Sequence, residues 1–81
     1  MTLKIISADS VVFEGEVSSV TLPGQMGAFT VLRNHASLIS TLVAGKITYT
    51  VGAAADSTVD MLDIDGGIAD IDNNVVSVCL Y

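Results

Sequence analysis

The sequence predicts an all-β domain, built as an antiparallel β-sandwich of about nine to ten short strands. Three observations predict it. Apolar and polar residues alternate over short segments, turn-forming residues separate these segments every few positions, and no long segment has the 3.6-residue apolar period of a helix. Because no helical pattern lies between the predicted strands, a parallel βαβ fold is excluded. With 81 residues, the chain is expected to form one domain over 1–81.

The first half of the chain carries five predicted strands, at 2–7, 11–13, 16–22, 29–32 and 37–43. Glu14-Gly15 is expected to turn the chain after the second of them. Pro23-Gly24 is expected to stop the third, because proline lacks a ladder donor and glycine tolerates left-handed backbone. The segments 25–27 and 33–35 are expected to be loops.

The second half carries four more predicted strands, at 46–51, 59–65, 68–71 and 75–81. The segment 46–51 has the clearest alternation, with Ile47, Tyr49 and Val51 on one face. The expected breaks between these strands are Ala44-Gly45, a hairpin loop at 52–58, Gly66-Gly67, and Asp72-Asn73-Asn74.

Charge and hydropathy exclude several classes of partner. Nine acidic residues face three basic ones, for a net charge of −6, and Lys and Arg supply most non-specific nucleic-acid affinity, so we expect no DNA or RNA binding. No apolar run approaches the roughly 20 residues of a spanning helix, and residues 1–10 lack a signal-peptide pattern, so we expect a cytoplasmic protein without direct membrane insertion. The hydrophobic content of 51% fits a filled core and partner-covered surface equally well.

The single cysteine, Cys79, has no second cysteine for an internal disulfide. It lies in an apolar strand pattern, which predicts a small buried side chain.

Three groups of residues invite a catalytic or ligand-binding interpretation, and each has a simpler one. His35 has Ser37 nearby, but general-base catalysis also needs an orienting acid, so a structural or interface histidine is favoured. A D-x-D-G run carries Asp63 and Asp65, yet no glutamate follows to close a calcium loop, and strand alternation places both on a solvated face. The glycines lack the phosphate-loop pattern and indicate turns. We therefore expect no catalytic residue, no cofactor and no bound metal.

Several motifs occur in an order that indicates a known protein family. The stretch LPGQMGAFTVLRNHASL at 22–38 resembles the signature of the ε subunit of F-type (rotary) ATP synthase, roughly P-G-x-x-G-x-F-x-V-L-x-x-H-A-P-L. VFEG at 12–15, GGI at 66–68 and NVVSV at 74–78 are similar to the family's V-F-x-G and G-G-[FI]…N-x-V-x-V, so the resemblance covers essentially the whole chain. Arg33-Asn34 stands where many members have Pro-Gly, and Ser37 where they have proline.

The resemblance implies a non-catalytic subunit of the central stalk, which links the γ subunit to the membrane c-ring and couples proton-driven rotation to ATP synthesis. Contact with the α/β catalytic head would be indirect, and the complex would lie peripherally at the cytoplasmic face of the inner (plasma) membrane. Family members commonly continue into a two-helix C-terminal domain that inhibits ATP hydrolysis, which is expected to be absent here.

By the same resemblance, two sets of residues are expected to meet these partners. The c-ring-facing loops are Gln25, Met26, Gly27, Arg33, Asn34 and His35. The γ-facing residues are Ser7, His35 and Ser40.

Two other functions stay open at this point. A free-standing β-sandwich that binds carbohydrate or peptide would present exposed aromatic side chains, and only Phe13, Phe29, Tyr49 and Tyr81 are available. A small metal- or acid-dependent hydrolase is disfavoured because His35 lacks histidine partners.

Overall fold

Six β-strands and no helix make up the described residues, 1–52 and 56–81, in a computed structural model of the chain. The strands are β1 (Thr2–Ser7), β2 (Ser10–Gly24), β3 (Gly27–Leu32), β4 (Leu38–Val51), β5 (Thr58–Asp72) and β6 (Val75–Leu80). The all-β fold is confirmed. The predicted number of strands, about nine to ten, is wrong, because β2, β4 and β5 are each 14 or 15 residues long and each joins two of the predicted segments.

The residues expected to break these long strands lie within them, and those at 14–15 and 66–67 stay paired with neighbouring strands. At Ala44-Gly45, β4 stays paired with β5 on both sides of the bend. The buried side chains of β4 change there from Leu42 to Ile47 and Tyr49, which is a change from even to odd positions. The strand therefore passes from one layer to the other without leaving its partner.

Pro23 is tolerated inside β2 because the pairing of β2 with β4 is irregular there. Pro23 lies at a register shift of the β2–β4 ladder, between Thr21 and Gly24. A residue without an N–H is accommodated at such an irregularity because no ladder hydrogen bond is lost. The predicted hairpin loop at 52–58 lies partly outside the described residues; Gly52 has a φ of 95° and Thr58 begins β5.

The strands are ordered β1-β6-β5-β4-β2-β3, and β1 also pairs with β2. Five strands therefore close into a hydrogen-bonded ring, and β3 lies outside the ring beside the second half of β2. All pairs are antiparallel except β1 with β6, which is parallel. The long strands each contribute to both layers of a flattened sandwich.

Every strand contributes to one apolar core between the layers. Its buried side chains are Met1, Leu3, Ile5, Val17, Val20, Leu22, Val31, Leu42, Ile47, Tyr49, Ile64, Ala69, Ile71, Val76 and Val78. Burying a Val, Leu or Ile side chain contributes roughly 1.5–3 kcal/mol. Phe13 packs against Tyr49 with ring centroids 4.5 Å apart. Burial, with a smaller contribution from the Asp60 carboxylate, raises the pKa of Tyr49.

Cys79 is exposed, so the prediction that it is buried is wrong. Val76 and Val78 point into the core, and the two-residue period of β6 therefore turns Cys79 outward. It lies between Ile68 of β5 and Ile6 of β1 on the outer face of the sheet.

Candidate interaction surfaces

The turn between β2 and β3 presents the most exposed large apolar side chain of the described residues. Gln25 and Met26 connect Gly24 to Gly27 in a tight hairpin, and Met26 is 99% exposed. Gly27 has a φ of 122°, a value that L-residues rarely adopt. The Gln25 N–H donates to the Thr41 carbonyl at 2.9 Å, which ties the turn to β4. We call residues 24–27 the turn end.

The connection between β3 and β4 is held by side-chain hydrogen bonds. Asn34, at φ 65°, donates its N–H to Asn74 Oδ1 at 2.6 Å and accepts from Asn74 Nδ2 at 3.2 Å. Ser37 Oγ donates to Asp72 Oδ1 at 2.6 Å. The His35 N–H donates to the Leu32 carbonyl at 3.1 Å, and its Nδ1 lies 2.7 Å from the Ala36 carbonyl. We call residues 33–37, with the β5–β6 turn that they contact, the loop end.

The two ends are separated by the length of β3. From Gly27 to Leu32 the strand spans about 17 Å at 3.4 Å per residue. The structure thus brings Arg33, Asn34 and His35 together, and Gln25, Met26 and Gly27 together, but it does not bring the two groups of predicted c-ring contacts into one loop cluster.

The three predicted γ contacts lie on different parts of the fold. Ser7 ends β1, with its hydroxyl 3.2 Å from that of Ser10 across the β1–β2 turn. Ser40 lies in β4 opposite Ala69 of β5, close along the strand to Thr41, which binds the turn end. His35 belongs to the loop end and is half-buried.

A depression of about 340 Å³ next to the loop end is lined by Met1, Glu16, Val17, Ser18, Arg33 and Gly52. The N-terminal ammonium lies 3.1 Å from Glu16 Oε2 and the Thr2 hydroxyl donates to Glu16 Oε1 at 2.6 Å. The Thr2 hydrogen bond, followed by the ammonium group, lowers the pKa of Glu16, and the more distant Arg33 adds to the effect. No local sequence pattern links the N-terminus to a residue in the next strand, so this group could not be predicted from the sequence.

The residues considered for catalysis do not form a site. Ser37 bonds to Asp72 and His35 contacts its neighbour's carbonyl, so the serine and the histidine have separate partners. Asp63 and Asp65 are both exposed on β5, as alternation predicts. Within 1–52 and 56–81, no three His, Cys, Asp or Glu side chains group closely enough to hold a metal ion. The same part of the chain has no helix that is long and apolar enough to cross a membrane.

Comparison with known proteins identifies one family. Residues 1–80 match the model of the ATP synthase delta/epsilon chain β-sandwich domain. The chain is 40% identical over 78 residues to the ATP synthase epsilon chain of Campylobacter jejuni subsp. doylei and 38% identical to that of Sulfurimonas denitrificans. Each alignment covers 96% of this chain and 58% of the relative, so the chain spans little more than half the length of these curated relatives.

Solved structures show the same fold. A chain in the cryo-EM structure of the Euglena gracilis mitochondrial ATP synthase (OSCP/F1/c-ring) superposes with a TM-score of 0.83 at 22% identity, covering 96% of this chain and 48% of that one. A chain in the central stalk and c-ring structure of the Tetrahymena thermophila mitochondrial ATP synthase superposes with a TM-score of 0.80 at 11% identity, covering 99% and 62%. At these identities the likeness supports the fold alone.

Proposed function

The chain belongs to the ATP synthase delta/epsilon chain family, of which it forms the β-sandwich domain, and from this membership we propose that it is a non-catalytic subunit of the central stalk that links the γ subunit to the c-ring. The observation that carries the proposal is the family match over residues 1–80, which includes every strand of the fold. In this role the protein would couple proton-driven rotation to ATP synthesis, with the chemistry carried out by the α/β head.

The mechanical demand of this role agrees with the construction of the fold. A subunit that transmits torque between two partners must resist shear. The pairings of β1, β6, β5, β4 and β2 connect these five strands in one closed series, and a close-packed core resists deformation. Torque applied at one end of the sandwich would be carried to the other end by many ladder hydrogen bonds in parallel.

We assign the two ends of the sandwich to different partners. The turn end, with Gln25, Met26 and Gly27, would contact the polar loops of the c-ring, where a flexible and exposed methionine supplies apolar contact area. The loop end, with His35, would face γ. The resemblance assigns Arg33 and Asn34 to the c-ring. Because both lie with His35, about one strand length away from Met26, we place them at the γ contact instead.

Ser40 and Ser7 stay assigned to γ by the resemblance. Ser40 lies on the β4 segment beside the turn end, and Ser7 lies in the β1–β2 hairpin. Both are half-buried, so their hydroxyls reach the surface.

The net charge of −6 would complement basic groups on the c-ring loops or on γ. Charge complementarity between partners raises the association rate, and this contribution weakens as salt increases. The proposed complex would stand at the cytoplasmic face of the inner (plasma) membrane, held there by its partners. Inhibition of ATP hydrolysis is not assigned to these six strands, since the family resemblance places it in a two-helix domain.

Gel filtration of the chain with purified γ, with purified c-ring in detergent, and with both tests the proposal. We expect co-elution with each partner and a ternary complex that weakens between low and high salt. Co-elution that is indifferent to ionic strength would remove the charge argument but keep the stalk role. No co-elution with either partner would overturn the stalk role and would favour the free-standing binding module, which a carbohydrate or peptide array then tests.

A further inference from the structure

The outer edge of β3 is an unpaired sheet edge. β3 pairs with β2 on one side, and no strand among the described residues pairs with it on the other. We call this side of Gly27–Leu32 the β3 edge. It runs the whole distance between the turn end and the loop end.

The hairpin register identifies the backbone groups that face outward. Gly24 and Gly27 close a two-residue hairpin loop, and the closing pair of such a hairpin exchanges hydrogen bonds. Alternation then gives Phe29 and Val31 bonds to β2, and turns the N–H and C=O groups of Ala28, Thr30 and Leu32 away from it.

Three independent contacts agree with this assignment. Pro23, which has no N–H to donate, lies opposite Ala28, in a pair that exchanges no hydrogen bonds. The Thr21 and Thr30 hydroxyls are 2.9 Å apart, as expected where the two strands approach most closely. The Leu32 carbonyl accepts from the His35 N–H, so it points away from β2.

The β3 edge lacks the features that normally prevent strand pairing. Exposed edges are usually protected by charged residues, proline or bulges, and Gly27–Leu32 has no charged residue, no proline and no register shift. The first half of β5, which is also unpaired on its outer side, carries Asp60, Asp63 and Asp65. Acidic residues thus occur along the edge of β5 and are absent from the β3 edge.

We propose that the β3 edge accepts an extended segment of the γ subunit as an added antiparallel or parallel strand. This inference rests on the proposed stalk role and specifies how γ is held. The backbone of the added segment would pair with Ala28, Thr30 and Leu32 in the manner of β-augmentation. One face of the segment would lie beside the apolar Phe29 and Val31, so it should carry apolar residues at alternate positions.

The chemistry of the edge favours a different protein over a second copy of this chain. Pairing two copies through their β3 edges would bring together two molecules that each carry a net charge of −6, and like charge opposes such association. An uncharged segment from another subunit meets no such repulsion. Arg33 directly follows β3 at the loop end, and it is the one Asp, Glu, Lys or Arg in the sequence between Glu16 and Lys46.

Amide hydrogen exchange on the 81-residue chain, alone and with purified γ, tests the proposal directly. In the free chain, the Phe29 and Val31 amides should exchange slowly and the Ala28 and Thr30 amides rapidly. In the complex, the Ala28, Thr30 and Leu32 amides should slow by at least about tenfold, as expected when an exposed N–H gains one hydrogen bond. This alternating protection distinguishes strand pairing from a side-chain contact, which would not follow the two-residue period.

A matched pair of variants gives a second measurement. Thr30→Pro removes an outward N–H without removing a ladder bond to β2, and Thr30→Ala keeps that N–H. We expect Thr30→Pro to weaken the affinity for γ about tenfold and Thr30→Ala to weaken it less than about threefold. Circular dichroism and melting curves of both variants show whether they fold. If Thr30→Pro does not fold, the exchange experiment on the unmodified chain still tests the proposal.

The outcomes separate the two proposals. If the complex with γ forms and the outward amides stay unprotected, strand addition is wrong and the stalk role stands. If γ does not bind at all, both proposals are wrong. If the outward amides become protected in the free chain as its concentration rises, the occupant is a second copy, and the assignment to γ is wrong.

Discussion

The turn end and the loop end are both predicted partner contacts, but different interactions hold them in place. Both are glycine- or asparagine-containing connections that the family resemblance marks as partner contacts. The turn end is held by backbone hydrogen bonds and by glycines, and its one large apolar side chain, Met26, is 99% exposed. The loop end is held by side chains, since Asn34 and Ser37 bond to Asn74 and Asp72 across the sheet. An exposed, flexible methionine on a rigid turn suits a contact in which the side chain adjusts to its partner. A loop held by side-chain hydrogen bonds suits a contact of fixed shape.

The largest effect on stability is expected at the backbone of the turn end. In Gly24→Ala the new Cβ would lie 2.7 Å from the Gly27 carbonyl oxygen and 2.8 Å from Phe29 Cε1, and such overlap with backbone should cost about 3 kcal/mol in the free energy of unfolding. Gly27→Ala, which meets no atom within 4 Å but has a φ of 122°, should cost about 1 kcal/mol. Urea unfolding of both measures the difference; equal costs would mean that the turn end relaxes around the added methyl group.

A smaller effect is expected at the loop end. Asn74→Ala removes both hydrogen bonds to Asn34 and places alanine, which disfavours positive φ, at a φ of 62°. We expect it to lower the free energy of unfolding by about 2 kcal/mol. Asn74→Gly loses the same hydrogen bonds but accepts the backbone conformation, and should cost about 1 kcal/mol. A melting temperature that is unchanged in Asn74→Gly would show that the side-chain bridge adds no stability, and the contrast between the two ends would be lost.

Acid should act beside the loop end, where Glu16 lines the depression, and the turn end has no acidic residue. The pKa of Glu16 is lowered in the folded state, so its contribution is present above the ordinary glutamate pKa of about 4.3 and is lost as the pH falls through the lower folded value. Melting temperatures between neutral pH and pH 3 should therefore fall less steeply in Glu16→Gln than in the unmodified chain. Glu14→Gln, on the same strand, is the control; an identical slope in all three proteins would contradict the role of Glu16.

The smallest effect on stability is expected at Met26. Because its side chain is almost fully exposed, Met26→Ala should change the free energy of unfolding by less than about 0.5 kcal/mol. The same variant should weaken binding to purified c-ring about fivefold, since an interface methionine buries apolar area. Unchanged binding would remove Met26 from the proposed contact, and a marked loss of stability would show that the turn end is not free.

Much of the fold follows from the two-residue period. This period predicts the inward side chains Ile47 and Tyr49. The turn at Asn73-Asn74 is predicted by residue type, because asparagine tolerates positive φ, which both residues adopt. Prediction from the sequence failed where the chain bends while staying paired. Ala44-Gly45 has the composition of a turn, but a bend and a turn use the same residue types, and only the continued pairing of β4 with β5 distinguishes them.

The candidate surfaces were less predictable because their contacts are remote in sequence. Met26 could be assigned to the surface from its place between turn residues. The partnership of Asn34 with Asn74 spans 40 positions and has no local signal. The apolar neighbours of Cys79 predict that it is buried, but in the structure Val78 points into the core and Cys79 therefore points outward.

The parallel pairing of β1 with β6 sets a condition on how the protein is made. β6 lies between β1 and β5, so until it arrives β1 has only the hairpin with β2 and the core lacks Val76 and Val78. Such a hairpin is marginal by itself. A nascent chain should therefore stay unfolded until β6 has left the ribosome, and then fold slowly in one step, because the final contacts join the first strand of the domain to its sixth.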